Sequence, residues 1–402
     1  MTRILYFPSF YLAFFFTASF ILFEVRLFPF PSTHPLLYFF LLFINLCAFL
    51  SCLVNWKGIR GQDANFLNFV VNCKHKTPKL TGPFILFLIG ISGIFLHISM
   101  LLREFGGVSG FILVLATSAH EVRVFNGDLG FSLGIQIGYF SWVAMSAVSF
   151  QFFFRSGTAG ANAILILMAL GILIVNLVFI DRTRPIWLVW NFVHAGLLML
   201  LFGGRTRTVQ VVSIGFPIFV ITVFVMVGLW IGKVEIGRAS ATGLPQWFES
   251  IYTYLTGGIA YLNYLLSGFY DVGINFGRVI YPVAMFLNKL GLTASPESQI
   301  LPHHDVGGFE TNAATFVEPF LSDGGVLFVV IGILIHTFIF DWLALACYRK
   351  LSTVSLLFAS TLVFTNLIAF FVPKIVGVPF FMFAAFFFLE SLLLNKRHEA
   401  KR

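Results

Sequence analysis

Ten apolar, almost uncharged stretches constrain the fold of this sequence more than any other feature. A helix needs roughly 20 apolar residues to cross the hydrocarbon core of a bilayer. The pattern therefore predicts an all-α polytopic membrane protein with about ten transmembrane helices. The predicted spans are residues 9–23, 36–54, 83–102, 131–153, 161–180, 186–202, 209–231, 322–345, 352–371 and 376–394.

The composition excludes the other common classes of protein. Hydrophobic residues make up 58% of the chain and charged residues only 10%, whereas a soluble domain carries about 25% charged residues. A water-soluble globular protein, a disordered tail and a nucleic-acid-binding module are therefore excluded, and nucleic acid is not an expected partner. The net charge of +8 is instead a signal of membrane topology, and membrane lipids are the expected surroundings.

The distribution of Lys and Arg predicts the side of the membrane that each loop faces. With the N-terminus inside, fifteen of the 25 Lys and Arg residues lie near the N-terminus, in inner loops or in a basic cytoplasmic tail. The positive-inside rule favours this orientation. Residues 108–119 are apolar but too short to span, so the segment 105–127 is expected to lie on the outer surface of the membrane.

This orientation divides the chain into three parts. Residues 1–231 hold spans 1 to 7, residues 232–321 form a large outer loop, and residues 322–402 hold spans 8 to 10 and the tail. Because long loops without structure are uncommon, we expect this outer loop to contain short helices and a function. Six of the eleven tyrosines lie in it, which is typical either of an interfacial aromatic belt or of a wall that stacks on sugar rings. The glycine pair at 257–258 is expected in a turn.

Arginines on the predicted outer face are the most informative charges, because the positive-inside rule disfavours them there. A guanidinium fork binds phosphate oxygens in bidentate fashion and never loses its charge. Several of these arginines could converge on a diphosphate, although a single surface arginine is more often solvated or salt-bridged. The outer-face arginines are Arg103, Arg123, Arg182, Arg184, Arg238 and Arg278.

A run of acidic residues and histidines before the eighth span could complete such a site. A carboxylate or an imidazole there could act as the general base for a sugar hydroxyl, or could simply be solvated. Zinc binding is the less favoured alternative, because adjacent histidines rarely have good ligand geometry, and we predict neither a metal nor a cofactor. The residues are His303, His304, Asp305, Glu310, Glu318 and Asp323.

Two further patterns lie before the outer loop. The first is the run 105–113, Phe-Gly-Gly-Val-Ser-Gly-Phe-Ile-Leu, followed by Arg123 about a dozen residues later. The second is the tight turn 181–185, Asp-Arg-Thr-Arg-Pro, between two predicted spans.

Two more patterns lie in the outer loop and at its end. One is the run 252–258, Tyr-Thr-Tyr-Leu-Thr-Gly-Gly, and the other is 312–315, Asn-Ala-Ala-Thr, followed by Asp-Gly-Gly at 323–325. In their order around one large loop, the four patterns resemble those of the O-antigen and oligosaccharide repeat-unit polymerases, the Wzy-type family. The turn at 181–185 lacks the Gly-Ser of the family's Gly-Ser-Arg turn, and Gly324 replaces an aromatic residue of the family.

The resemblance implies an inverting, lipid-carrier-dependent glycosyltransferase. Such an enzyme moves a growing glycan from undecaprenyl diphosphate to the non-reducing end of a single lipid-linked repeat unit. The reaction takes place on the periplasmic face of the bacterial inner membrane, without a nucleotide sugar, a metal or a cofactor. Undecaprenyl-diphosphate-linked glycans are the implied substrates, and a chain-length regulator is a candidate partner.

The resemblance also implies roles for individual residues. Arginines neutralise the leaving diphosphate as the glycosidic bond breaks, and either Glu310 or His304 is the candidate catalytic base. Asp323 is a candidate glycan contact, but it could instead anchor the end of the loop or cap the eighth helix. The implied diphosphate-binding residues are Arg123, Arg182, Arg184, Arg238 and Arg278, where the choice between Arg182 and Arg184 stays open. The implied glycan-binding residues are Tyr252, Tyr254, Asn312 and Asp323.

Three other functions remain as alternatives. An O-antigen ligase has the same architecture and the same donor but a different acceptor. A transporter of polysaccharide or of lipid-linked oligosaccharide is disfavoured, because the spans contain no Arg or Lys and their few ionisable residues are scattered. A non-catalytic scaffold gives no reason for outer arginines. We expect structural or boundary roles for the ionisable residues inside the spans, which are His97, His194, His336, Asp341 and Glu390.

Overall fold

The computed structural model is mostly helical. It describes residues 2–59, 81–118, 133–141, 183–202, 246–268, 277–294, 304–307, 309–311, 313–373 and 377–399, with residue 301 and isolated short stretches between 68 and 168. The helices are α1 (Pro8–Val25), α2 (Pro35–Ile59), α3 (Thr81–Glu104), α4 (Val108–Thr117), α5 (Leu133–Gly138), α6 (Thr183–Phe202), α7 (Gln246–Leu266), α8 (Tyr281–Lys289), α9 (Val317–Leu334), α10 (Phe340–Lys350), α11 (Thr353–Leu367) and α12 (Val378–Glu399). A 3₁₀ turn (Thr2–Tyr6), a π-helical segment (Ile335–Ile339) and strands β1 (His304–Asp305) and β2 (Glu310–Thr311) complete the described elements.

Four of the described helical segments are long and apolar enough to cross a membrane. They are α1, α2, α3 and the segment Val317–Lys350, which comprises α9, the π-helical segment and α10 and which we call the rod. Each coincides with a predicted span. Helix α2 exposes Leu42 and Val54 while it buries Phe40 and Ile44, as expected of a helix with one side in the protein and the other in lipid. The prediction of a helical membrane protein is confirmed.

The number of ten spans stays a prediction. Helices α6, α11 and α12 coincide with the expected spans at 186–202, 352–371 and 376–394, but their described apolar stretches are only 10 to 17 residues long. The expected spans at 161–180 and 209–231 lie almost wholly outside the described residues, and α5 covers only the start of the span at 131–153.

The short apolar segment after α3 forms a helix of its own. Helix α4 is 10 residues long, so it rises about 15 Å and is too short to cross the hydrocarbon core. Gly106 and Gly107 turn the chain between α3 and α4 with φ of +74° and +94°. Phe111 of α4 packs against Leu101 and Val122, which folds the segment back onto α3.

The chain forms two compact units. The first comprises residues 1–62, 239–350 and 361–402, and the second comprises residues 63–238 and 351–360. The first unit therefore contains α1, α2 and most of the predicted outer loop with the rod that follows it.

In the second unit, α3 packs against α5. Helix α6 is tied to the first part of α11, because the indole Nε1 of Trp190 donates to the carbonyl of Ser360 at 3.1 Å. The Ser360 hydroxyl in turn donates to Asn191 Oδ1 at 2.9 Å.

In the first unit, a buried carboxylate joins three spanning helices. Both oxygens of Asp341 in α10 accept hydrogen bonds from α1, one from the N–H of Ser9 at 2.9 Å and one from its hydroxyl at 2.5 Å. The hydroxyl of Ser51 in α2 donates to the same carboxylate at 2.7 Å. A buried polar group is tolerated where it is hydrogen-bonded, so Asp341 fixes the packing of α1 and α2 against the rod.

The π-helical segment of the rod places a second polar residue in the interior. His336 Nδ1 lies 2.6 Å from Asn366 Oδ1, and the Asn366 amide donates to the carbonyl of His336 at 2.7 Å. The imidazole lies among the rings of Phe316, Phe320 and Phe340. These contacts agree with the structural roles expected for His336 and Asp341.

Candidate functional site

Helix α7 positions side chains of the candidate site. It packs against α1 and the connection between α1 and α2. The Tyr252 hydroxyl accepts the N–H of Leu27 at 3.2 Å and donates to the carbonyl of Leu22 at 2.8 Å. Asn263 accepts the N–H of His34 at 2.7 Å. Tyr252 is buried, and burial raises its pKa. Because its ring and hydroxyl are engaged inside the protein, Tyr252 does not form an open sugar-binding wall here, and we leave it out of the proposed site.

The glycine pair at 257–258 lies inside α7, which corrects the expectation of a turn. A Cβ atom at Gly258 would overlap the carbonyl oxygen of Phe370, and a Cβ atom at Gly257 would lie 3.2 Å from Thr311 Oγ1. Any larger residue would push the helix away. The pair therefore lets α7 approach the turn after α11 and strand β2 closely.

Strands β1 and β2 form a short antiparallel hairpin that begins at His304. In the turn of this hairpin, Gly307 has a φ of +110°. A Cβ atom at Gly307 would lie 2.7 Å from the carbonyl oxygen of Pro29. Next to it, the ring of Phe309 packs edge-on against Phe28, with centroids 5.2 Å apart. The hairpin is thus fixed against the connection between α1 and α2, and this contact holds His304 beside α7.

His304 lies against two tyrosine rings of α7. Its imidazole stacks on Tyr264 with ring centroids 4.9 Å apart and planes at 25°, and it lies 5.8 Å from the ring of Tyr261. The Tyr264 hydroxyl is 3.4 Å from His304 Nδ1. Since residues 261 and 264 are three apart on a helix, they share one face, and that face carries the imidazole.

Arg278 forms a buried ion pair with the first turn of α9. Its guanidinium Nη2 lies 2.8 Å from Oε1 of Glu318, and the two side chains are 11% and 2% exposed. The Ser322 hydroxyl donates to the same Glu318 oxygen at 3.0 Å. The other oxygen, Oε2, has no hydrogen-bond partner among the described residues. An arginine in such a position keeps its charge, because a guanidinium is not deprotonated in proteins.

Asp323 fixes the backbone of the same arginine. Its carboxylate accepts the N–H of Arg278 at 3.0 and 3.1 Å and the N–H of Val279 at 2.8 Å. Asp323 is buried and precedes a break in α9, where Gly324 and Gly325 leave the helical conformation and Gly325 has a φ of +64°. Of the roles considered for Asp323, the contacts match the loop anchor. The carboxylate is buried against these backbone N–H groups, and its assignment as a glycan contact stays a prediction.

Tyr261 contacts the His304 ring and is close enough to the ion pair for the charges of Glu318 and Arg278 to act on its hydroxyl group. Burial raises the pKa of Tyr261 to about 12, the charge of Glu318 adds to this rise, and Arg278 opposes it. Tyr261 therefore keeps its proton at neutral pH and can donate a hydrogen bond. We call the group formed by these side chains the Arg278 cluster. Its members are Arg278, Glu318, Asp323, Tyr261, Tyr264 and His304.

The Arg278 cluster contains three of the residues selected from the sequence, namely Arg278, His304 and Asp323. Two others lie apart from it. Glu310 is exposed on β2, and Tyr254 packs edge-on against Phe371 with centroids 5.8 Å apart.

The side chains of five further predicted site residues lie outside the described part of the structure. Arg184 lies in the first turn of α6, and its side chain is outside the described part of the structure. Outside the described residues altogether are Arg123, Arg182, Arg238 and Asn312. Within the described residues, no three His, Cys, Asp or Glu side chains are grouped in a way that could hold a metal ion.

Sequence reasoning did not select three members of the cluster, Glu318, Tyr261 and Tyr264. Glu318 was recognised only as one acid among several before the eighth span. The spacing of Tyr261 and Tyr264 was an available signal, because two tyrosines three residues apart lie on one face of a helix. No local pattern joins Glu318 to Arg278, which is 40 residues away in the sequence.

The fold and the cluster define a helical membrane protein with a buried arginine–carboxylate pair at one end of a spanning rod. No protein-family model matches the chain, and no curated protein or solved structure matches it either.

Proposed function

We propose that this chain is a glycosyltransferase that polymerises undecaprenyl-diphosphate-linked repeat units, an enzyme of the Wzy type. The observation that carries the proposal is the buried pair of Arg278 and Glu318, whose charges act on Tyr261, the tyrosine that contacts the His304 ring. A fixed cation can neutralise a leaving diphosphate, and an imidazole can accept the proton of a sugar hydroxyl. The order of the four sequence patterns supports the same reaction.

In the proposed reaction, the acceptor hydroxyl oxygen attacks the anomeric carbon of the donor sugar. The bond between that carbon and the diphosphate oxygen breaks, and the diphosphate leaves with the bonding electrons. Arg278 neutralises the charge that develops on the leaving group, which is often the largest catalytic contribution. Because the donor diphosphate carries more negative charge than a carboxylate, it displaces Glu318 from the guanidinium.

The proton of the acceptor hydroxyl needs a base. Of the two candidates from the sequence, His304 belongs to the Arg278 cluster, whereas Glu310 is exposed on β2. We therefore assign the general base to His304, with its ring stacked on Tyr264 and its Nδ1 3.4 Å from the Tyr264 hydroxyl. The glycan ring stacks on the aromatic surface formed by Tyr261 and Tyr264.

The first test is a gel of surface glycan from a bacterial strain that lacks this chain. A polymerase predicts lipid A core that carries a single repeat unit, with the ladder of longer chains absent. Bare core with polymer accumulating on undecaprenyl diphosphate would identify a ligase instead. An unchanged ladder would contradict both glycosyltransferases and favour a transporter or a scaffold.

Complementation with variants tests the residue assignment. Arg278→Lys and His304→Gln should restore the membrane level of the protein but not the ladder, because they remove the bidentate fork and the base. The matched control is Arg26→Gln, since Arg26 is an exposed arginine of the same unit. A full ladder with Arg278→Lys or His304→Gln would refute the role of that residue.

The proposed site faces the periplasm from the bacterial inner membrane, and this is testable separately. A reporter fused after Arg207 should read cytoplasmic and one fused after Ser240 should read periplasmic. The reverse pattern would place the Arg278 cluster on the cytoplasmic side and would exclude a periplasmic polymerase.

A further inference from the structure

Helix α8 turns an apolar surface outward. Val283, Phe286 and Leu290 are 39%, 62% and 57% exposed, and Leu292 just after the helix is 68% exposed. No residue of α8 is buried against the described structure. Positions 283, 286 and 290 follow the spacing of one helical face, so the exposed side chains form a continuous apolar stripe.

The start of α8 is tethered beside the start of the apolar part of the rod. The N–H groups of Arg278 and Val279, just before the helix, donate to Asp323. Asp323 and the glycines at 324–325 precede an uncharged apolar run, residues 326–335, in the long rod that can cross a membrane. Helix α8 therefore begins where the apolar part of a spanning helix begins, which is the level of the membrane interface.

The charges of α8 also match a membrane surface. Residues 277–294 contain Arg278 and Lys289 but no acidic residue. Lys289 is exposed in the last turn of the helix, beside Phe286 and Leu290. A lysine in that position can bury its methylene chain along apolar surface and extend its ammonium group to phosphate headgroups.

We propose that α8 is an interfacial helix that lies in the lipid leaflet at the α9 end of the rod. Its apolar stripe enters the boundary between headgroups and acyl chains, and Lys289 contacts anionic headgroups. The occupant of the stripe is phospholipid, because α8 is tethered beside the start of the apolar part of a helix that can cross a membrane, and that helix itself exposes the apolar side chain of Leu327, which is 68% exposed. The proposal is independent of the chemistry at the Arg278 cluster and of the direction in which the chain crosses the membrane.

The test is the accessibility of nitroxide labels in the full-length chain, reconstituted into vesicles of phosphatidylethanolamine and phosphatidylglycerol. Labels are attached to Phe286→Cys and Leu290→Cys after replacement of the four native cysteines. Leu327→Cys is the reference for lipid and Glu310→Cys, on the exposed hairpin, is the reference for water. The elution volume in detergent and the unlabelled helix content confirm that each variant is folded.

The proposal predicts that oxygen relaxes the labels at 286 and 290 more strongly than a water-soluble nickel complex does, as it should at 327. The label at 310 should respond in the opposite order. Labels at 286 and 290 that follow the behaviour at 310 would overturn the proposal. Labels that are shielded from both reagents would overturn it too, since they would indicate a second copy or another protein on the stripe.

Discussion

Replacing Glu318 with glutamine keeps the shape of the side chain but removes the negative charge that faces Arg278. The two groups are 2.8 Å apart and almost fully buried. At an effective dielectric constant of about 20, charges at that distance attract by roughly 6 kcal/mol before desolvation is counted. Since Arg278 cannot lose its proton, Glu318→Gln leaves a buried, uncompensated cation. We expect the free energy of unfolding to fall by about 3–5 kcal/mol.

The opposite replacement, Arg278→Gln, should destabilise the protein less. The remaining carboxyl group of Glu318 can take up a proton and so become neutral, whereas a guanidinium stays charged. The double variant contains two neutral amides in place of the two charges of the ion pair. It should therefore be more stable than Glu318→Gln alone, with a coupling energy of about 3 kcal/mol in the double-mutant cycle.

The assay is reversible unfolding in mixed detergent micelles, followed by helix circular dichroism as the denaturing detergent is titrated. The matched control is the pair of Lys350 and Glu390, with nitrogen and oxygen 3.0 Å apart but side chains 19% and 25% exposed. Because that pair is reached by solvent, Glu390→Gln should cost under about 1 kcal/mol. Equal small losses for Glu318→Gln and Glu390→Gln would refute the reasoning from burial.

The same cycle separates stability from activity. If Arg278 binds the leaving diphosphate, the double variant recovers most of the stability lost in Glu318→Gln but still makes no glycan ladder. A double variant with wild-type ladders would show that Arg278 matters only as the counterion of Glu318, and the proposed role of its guanidinium would be abandoned.

Three further substitutions test the packing around the cluster. Gly258→Ala pushes a Cβ atom into the carbonyl oxygen of Phe370 and should lower the free energy of unfolding by about 1–3 kcal/mol in thermal or detergent unfolding. Gly82→Ala is the control, because a Cβ atom there would have nothing within 4 Å and should not lower the stability in this way. Asp323→Ala leaves two backbone N–H groups without their acceptor at about 1–3 kcal/mol each, so limited proteolysis should cut the chain before α8 sooner than in wild type. Asp341→Ala should cost about 2–5 kcal/mol and Asp341→Asn less, and equal stability of the two would contradict the hydrogen-bonding role.

The spanning helices could be predicted because the bilayer imposes a simple rule. Backbone polar groups must be hydrogen-bonded inside the segment that crosses the hydrocarbon. A long apolar stretch of sequence therefore forms a helix along its whole length. The predicted span at 36–54 lies inside α2, which continues to Ile59 past Lys57. The apolar run marks the hydrocarbon layer, and the helix itself extends further because a lysine is tolerated at the interface.

The candidate site could be predicted only in part, because composition does not say which way a ring points. Tyr252 and Tyr261 are both tyrosines of the same helix. One packs under the connection between α1 and α2, and the other lies against the ring of His304. The partner that each tyrosine meets depends on how α7 is rotated about its axis against α1. That rotation in turn depends on the close approach of the backbone at Gly258. A long-range contact of this kind leaves no trace in local sequence.

The two attachments of Arg278 explain how one residue can be both fixed and available. Asp323 binds the backbone N–H groups of Arg278 and Val279, while Glu318 binds the guanidinium. An arginine held by its side chain alone would leave the site once a diphosphate displaced the carboxylate. Here the backbone stays anchored to α9 when the pair opens, so the guanidinium can exchange one anion for another without moving its base. The separation of the two anchors is therefore what the proposed exchange of Glu318 for a diphosphate requires, because the backbone of Arg278 stays fixed while its guanidinium changes partner.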